Sequence, residues 1–143
     1  MQHVAIMNKS WKLIPKILSK EKTIESRWYK TKRTPWGKIK PGEVIFFKNS
    51  GELVTAKAMV KKVLQFEIKH LVDAEKIVQT YGKEICIINK NPRTWGKLPK
   101  YCILMFLTNP QIVKIPFAIE KRGFGTGAAW LTVPNVLKLK KLE

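Results

Sequence analysis

The stretch KEKTIESRWYKTKRTPWGKIK, Lys20 to Lys40, decides how the rest of the chain is read. It holds eight basic residues, two acids and three large aromatics, Trp28, Tyr29 and Trp36, in twenty-one positions. Basic charge interleaved with flat rings suits a polyanion that carries stacked bases. Pro35-Trp36-Gly37 interrupts the stretch with a turn. Side chains alternate along a strand, so Thr23, Glu25 and Arg27 share one face and Ile24, Ser26 and Trp28 the other. Glu25 and Arg27 then lie side by side on a polar face, with Ile24 and Trp28 turned to the core. A carboxylate fixed beside a guanidinium is a donor and acceptor array that can read a planar polar group such as a base edge. The plainer alternative is a solvated strand with a surface ion pair worth well under about 1 kcal/mol.

The totals bound what lies around this stretch. A length of 143 residues is one domain by the usual prior, 1–143, and is enough to bury a core. The 28 Lys and Arg against 10 Asp and Glu leave +18. From Lys9 to Lys40 eleven basic residues stand against two acids, so +9, half the excess, falls in under a quarter of the chain. Such unevenness argues for a basic patch and a polyanionic partner, bound through counterion release. Only four of the 28 cations are Arg, a bias that composition or thermal adaptation also produces. Cys86 and Cys102 are too few for a disulfide framework and have no metal-ligand spacing with His3 or His70. No metal or cofactor is expected, and a reduced cytoplasmic setting fits best. Met1 to Met7 lacks the basic lead and cleavage site of a signal peptide, and no apolar run reaches the length of a membrane span.

Outward from the central stretch, His3 to Met7 reads as an inner strand. Ser10 is placed to cap a short or bent helix with Leu13, Ile14, Ile17 and Leu18 on one stripe, Pro15 being awkward within it. Trp11 reads as a packing residue. Glu43 to Lys48 reads as a strand that turns at Asn49-Ser50-Gly51 into a long one from Leu53 to about Phe66, where Val54, Ala56, Ala58 and Val60 face one way. A strand of that length in a small domain usually coils around a barrel. Leu71 to Tyr81 reads as an amphipathic helix ended by Gly82, with His70 at its entry. Asn91-Pro92 is a cap followed by a proline at the first position of one short turn. Tyr101 to Leu107 is a strand buried on both faces, ended by Asn109-Pro110, with Ile112 to Ile115 as a further short strand. The glycines from 123 to 127 lack the Lys-Ser/Thr pair of a phosphate loop and the flanking strand and helix of a dinucleotide fingerprint. They form either a close backbone approach to a ligand or a tight bulge before the last strand. The tail from Pro134 is a terminal strand or a loose basic end. Four to seven strands with two or three flanking helices make an α+β fold, consistent with a small mixed β-barrel.

The segment Leu18 to Arg27 resembles the signature of the ASCH domain family, G-x-K-x-x-E-x-R. Lys22, Glu25 and Arg27 match it, and Lys20 stands where the glycine usually is. Pro35 to Ile39, Gly42 to Gly51 and Lys121 to Trp130 are similar to later segments of bacterial and archaeal members. This resemblance implies a barrel related to the PUA fold and a cleft at its side that takes RNA or a nucleotide. It implies that Lys22 meets a phosphate or acidic group, that Glu25 accepts from a base or orients Arg27, and that Arg27 donates a bidentate pair. Lys30, Lys32, Arg33 and Lys38 would track a backbone, Trp36 would offer a stacking face, and Asn49, Ser50, Lys121, Arg122, Gly125 and Thr126 complete the candidate binding set.

Three functions follow as expectations. The first is a module that binds RNA or another single-stranded nucleic acid, or a nucleotide or small anion. The second is a hydrolase. Some ASCH-like proteins are amidohydrolases of acylated cytidine that use the motif lysine with a threonine three positions on. Here that position is Glu25, which removes the hydroxyl, although Thr23 is close by. Lys22 and Glu25 are also the candidate acid and base pair for cleaving a phosphodiester. The third is a protein-interaction module whose basic patch meets an acidic partner.

Overall fold

The computed structural model of the chain describes every residue except Arg122, Thr126 and Glu143. In chain order the strands are β1 (Gln2–Met7), β2 (Ile24–Tyr29), β3 (Val44–Asn49), β4 (Val54–Glu67), β5 (Tyr101–Phe117) and β6 (Trp130–Val133). Helix α1 (Leu13–Leu18) lies between β1 and β2, and α2 (Leu71–Ile85) between β4 and β5. The strands form one six-stranded sheet in the order β2-β5-β4-β3-β1-β6. β1 and β3 pair in parallel and every other pair is antiparallel. This is the expected α+β architecture, a mixed sheet curled as a small barrel wall and carrying two helices.

The curl follows from the period-two pattern. Val54, Ala56, Ala58 and Val60 are all buried. With Ala5, Met7, Ile45, Phe47, Ile103 and Met105, the last three of them line a core into which α1 inserts Leu13, Ile14 and Ile17. Small Ala56 and Ala58 beside large Phe47 and Ile45 let the layers interdigitate. On the other face of β5, Cys102 and Leu104 pack with Ile24 of β2 and with Ala74, Ile77 and Ile85 of α2. Two cores thus share β5, which is why Tyr101 to Leu107 reads as an unbroken apolar run.

Four local expectations change. α2 runs one turn past Gly82, and Cys86, at φ 57°, takes the left-handed capping position. The chain folds back there through the Ile87 N–H to Gly82 carbonyl bond of 3.1 Å. Asn109 and Pro110 do not end β5. Asn109 adopts φ 50°, and the register against β4 shifts between Met59↔Thr108 and Lys57↔Gln111, so the proline falls where the ladder asks for no N–H. Ser10 is not the cap of α1. Asn8 caps a short 3-10 turn over Lys9–Trp11, and α1 follows a left-handed Lys12 with Pro15 inside its first turn, where a missing N–H costs nothing. The tail forms a 3-10 turn, Val136–Leu139, followed by a bridge between Lys140 and Ile119.

Lys20 enters β2 from α1 at φ 67°, the glycine position of the resembled motif. A left-handed non-glycine residue costs about 1–2 kcal/mol, of which glycine's extra unfolded-state freedom takes back roughly 0.5–1 kcal/mol. Lys20→Gly is therefore expected to raise stability by about 0.5–1 kcal/mol in urea denaturation, and Lys20→Val to lower it; a glycine variant less stable than the parent would refute this account of the turn.

Candidate functional site

The turn at Lys20 is followed by backbone bonds that pin Lys22 and Thr23 between the helices. The Lys22 N–H donates to the Lys16 carbonyl (2.9 Å) and the Thr23 N–H to the Glu84 carbonyl (3.0 Å). Lys22 is consequently only 2% exposed. Its Nζ donates to the carbonyls of Ile24 (2.8 Å) and Ile85 (2.6 Å) and lies 3.3 Å from Glu25 Oε1. An ammonium has three donors and no acceptor, so these three oxygens use its capacity. Lys22 is thereby a tether between β2 and the end of α2, and its donors are turned away from any phosphate.

Glu25 is 3% exposed and also accepts from the Ser26 N–H at 3.0 Å, while its Oε2 lies 3.3 Å from Arg27 Nη2. Burial alone would push this carboxyl up, but the Lys22 and Arg27 charges and the Ser26 N–H outweigh it and hold the group below the usual glutamate range. The pairing of Glu25 and Arg27 on one face is as the alternation predicts. The solvated surface pair does not describe it, because Glu25 is buried and Arg27 is largely covered.

Arg27 reaches across the opening between the two edges of the sheet. Nη1 donates to the Ala129 carbonyl (3.2 Å), just before β6, and Nη2 to the Ile6 carbonyl (3.3 Å) on β1. Its guanidinium lies 5.1 Å from the Trp130 ring centroid. The early charged strand and the residues after the late glycine turn are thus in direct contact.

Two hollows open beside this chain of charges. One, about 380 Å³, is lined by Lys22, Glu25 and Ser26 at its floor and by Trp11, Trp28 and Trp95 at its walls. Trp28 and Trp95 meet edge to face at 5.0 Å. The other is an open groove of about 930 Å³ whose polar lining includes Lys9, Ser10, Lys12, Ser50 and Lys121, with Gly127 to Ala129 along it. The segment Lys9 to Leu13 divides the two, since Ser10 and Lys12 line the groove while Trp11 and Leu13 line the aromatic pocket. Burial first, and then the nearby Lys121 charge, push the Lys48 ammonium below its usual value.

The remaining sequence candidates are distributed as follows. Ser50 and Lys121 are in the groove, Lys121 donating to the Ala128 carbonyl at 2.7 Å. Asn49 is bonded to Glu52 through Nδ2 (3.0 Å), and its buried Oδ1 has no hydrogen-bond partner. Gly125, at φ 85°, is exposed in the late turn. Arg33 lies over the Tyr29 ring and lines a smaller hollow with Phe124 and Gly127. Lys32 lies over Tyr101, and Trp36 packs edge to face on that same ring at 5.0 Å and against the main core, which occupies much of its surface. Lys30 and Lys38 are exposed and line neither hollow. Arg122 and Thr126 lie outside the described residues. Among the described residues no cluster of three or more His, Cys, Asp or Glu could hold a metal, and no helix is long and apolar enough to cross a membrane.

Trp95 is not among the sequence candidates, and Trp11 is read there as a packing residue. Trp11 is 48% exposed and forms a wall. The available signal was five tryptophans in one short chain, but they are remote in sequence and only the fold brings three together.

Removing one partner of a buried pair strands the other charge and costs about 3–5 kcal/mol. Glu25→Gln should therefore lose that much in denaturant unfolding at pH 7. Because the folded carboxyl is held low, its contribution is full above the unfolded value of about 4.3 and fades as pH falls below it. The gap between parent and Glu25→Gln should narrow with acid; a gap constant from pH 7 to pH 3 would show that Glu25 carries no such charge.

No protein-family model matches the sequence, and no curated protein matches it. Solved structures do share its shape. An ASCH protein from Zymomonas mobilis is 16% identical with a TM-score of 0.68, covering 98% of this chain and 96% of that one. Two point mutants of the same protein give TM-scores of 0.68 and 0.67 over 98% of this chain and 99% and 96% of theirs, at 16% identity. The curled sheet and its two helices thus have the fold of an ASCH protein.

Proposed function

We propose that the cleft binds single-stranded RNA, with phosphates in the basic groove and a base in the tryptophan pocket. The observation that carries this reading is the juxtaposition of the two hollows across the short segment from Lys9 to Leu13. Phosphates supply the salt-dependent part of such binding, and stacking on aromatic faces the part that a plain polyanion lacks. The groove offers ammonium and hydroxyl groups, and the pocket offers indole faces. The buried charges take a different part from the one the motif suggests. Lys22, Glu25 and Arg27 hold the cleft open by tying β2 to α2, β1 and the start of β6. The hydrolase alternative draws no support from Lys22, whose ammonium is spent on two carbonyls and Glu25.

Fluorescence anisotropy with a short labelled oligoribonucleotide tests the reading. Affinity should fall with added salt at a log-log slope of about −0.7 for each phosphate neutralised. Lys12→Ala should flatten that slope by one such increment, and Trp95→Ala should cost about 1–3 kcal/mol. Binding to dextran sulfate of equal charge as tight as to the RNA would reduce the cleft to bulk electrostatics.

A further inference from the structure

The turn between β3 and β4, Asn49 to Glu52, brings an acid to the edge of the basic groove. Among the described residues that line the groove the charged ones are Lys9, Lys12 and Lys121, all cationic. Glu52 is not part of that lining, but its Oε2 lies 2.8 Å from Lys9 Nζ and its Oε1 accepts from Asn49 Nδ2 at 3.0 Å. The Lys9 bond, then the Asn49 amide, and then the charges of Lys9 and Lys48 hold this carboxyl below the usual glutamate range, against the opposing effect of burial. Two cations and an amide N–H around one pair of oxygens are the donors that a phosphate would ask for. At this end of the groove a carboxylate of the protein already has them.

The contact does not shape the groove. The Lys9 segment is held by its own bonds: the Asn8 side chain accepts from the Ser10 N–H (3.0 Å) and hydroxyl (2.6 Å), and the Trp11 and Lys12 N–H groups donate to the carbonyls of Asn8 and Lys9, each at 3.2 Å. The turn is held by the Ser50 N–H on the Met7 carbonyl (2.9 Å) and the Glu52 N–H on the Asn49 carbonyl (3.0 Å). The Lys9 and Glu52 side chains are 68% and 40% exposed. An ion pair that wet is held weakly and opens without disturbing the backbone on either side. A ligand anion can therefore take the ammonium from it.

We infer that Glu52 is a built-in competitor of the groove, its carboxylate holding the Lys9 ammonium in the place of a ligand phosphate, so that a polyanion must displace it to use the full groove. The inference rests on the proposed reading of the groove as a phosphate track and adds how the affinity of that site is set. The test titrates the labelled oligoribonucleotide against the parent, Glu52→Gln, Lys9→Ala and the double variant, with Glu67→Gln, at the far end of β4, as a charge-matched control. Glu52→Gln should bind about two- to fivefold tighter at about 50 mM salt, the range of an exposed ion pair, and should steepen the log-log salt slope by about 0.7, one further phosphate contact. Its advantage should then shrink about 2.5-fold by about 200 mM. Lys9→Ala should cost little in the parent and most of that gain in the Glu52→Gln background, with all thermal midpoints close together. A Glu52→Gln variant that binds no tighter than the parent, or melts well below it, would make the pair a brace for the cleft. A gain equalled by Glu67→Gln would make it an effect of overall charge, and an equal cost of Lys9→Ala in both backgrounds would show that Glu52 does not hold Lys9 back. Each of these overturns the inference and leaves the single-stranded reading standing. If neither the parent nor Glu52→Gln binds the oligonucleotide, that reading fails and the inference with it.

Discussion

The chain of charges from Lys22 through Glu25 to Arg27 is the constraint on which the cleft depends. It begins at the last carbonyl of α2, at Ile85, and ends at the carbonyls of Ile6 and Ala129. Strand β2 pairs on one side only, with β5, and lies at the opposite end of the sheet from β6. Backbone pairing alone would leave those ends unconnected. A guanidinium, with five donors in a rigid fork, spans the opening while its neighbouring carboxylate keeps it oriented. Taking such charges out of water is expensive unless each is paired and hydrogen-bonded, and here each is. The arrangement is weak evidence for stability as such and better evidence for geometry, because it fixes where β2 stands.

That placement makes the two hollows. Trp28 and Ser26 follow from β2, Trp11 from the turn before α1, and Trp95 from the segment after α2, so the pocket forms only where three separate connections meet. The groove is built from the other side of the same turn together with Ser50 and the residues around Lys121. A ligand that spans both must cross the Lys9 to Leu13 divider, which suits a chain with alternating charge and rings. The motif residues contribute to both hollows chiefly through the shape they impose, since most of their hydrogen-bonding capacity faces protein.

The five tryptophans divide by surroundings. Trp130 is buried beneath Arg27 and bonded to His3, whose ring also meets Glu43 and Thr132. Trp36 is occupied by Tyr101 and the core. The remaining three border one cavity. An aromatic residue is therefore a candidate contact here according to what covers its faces, and composition is silent on that.

Sequence alone determined the strand and helix pattern, the two-sided burial of β5, the coiling implied by β4, and the pairing of Glu25 with Arg27, because each follows from side-chain periodicity within one segment. It located the short turn at Asn91-Pro92 by local chemistry as well. It misplaced the end of α2 and the break at Asn109, where tertiary contacts override the local preferences of glycine and proline. Only the folded chain decided that Lys22 is spent internally, that Arg27 joins distant strands, and that Trp11, Trp28 and Trp95 share a pocket. Those facts concern groups up to 102 residues apart in the chain, and distance in space between such groups is set by the curl of the sheet, which no local pattern encodes.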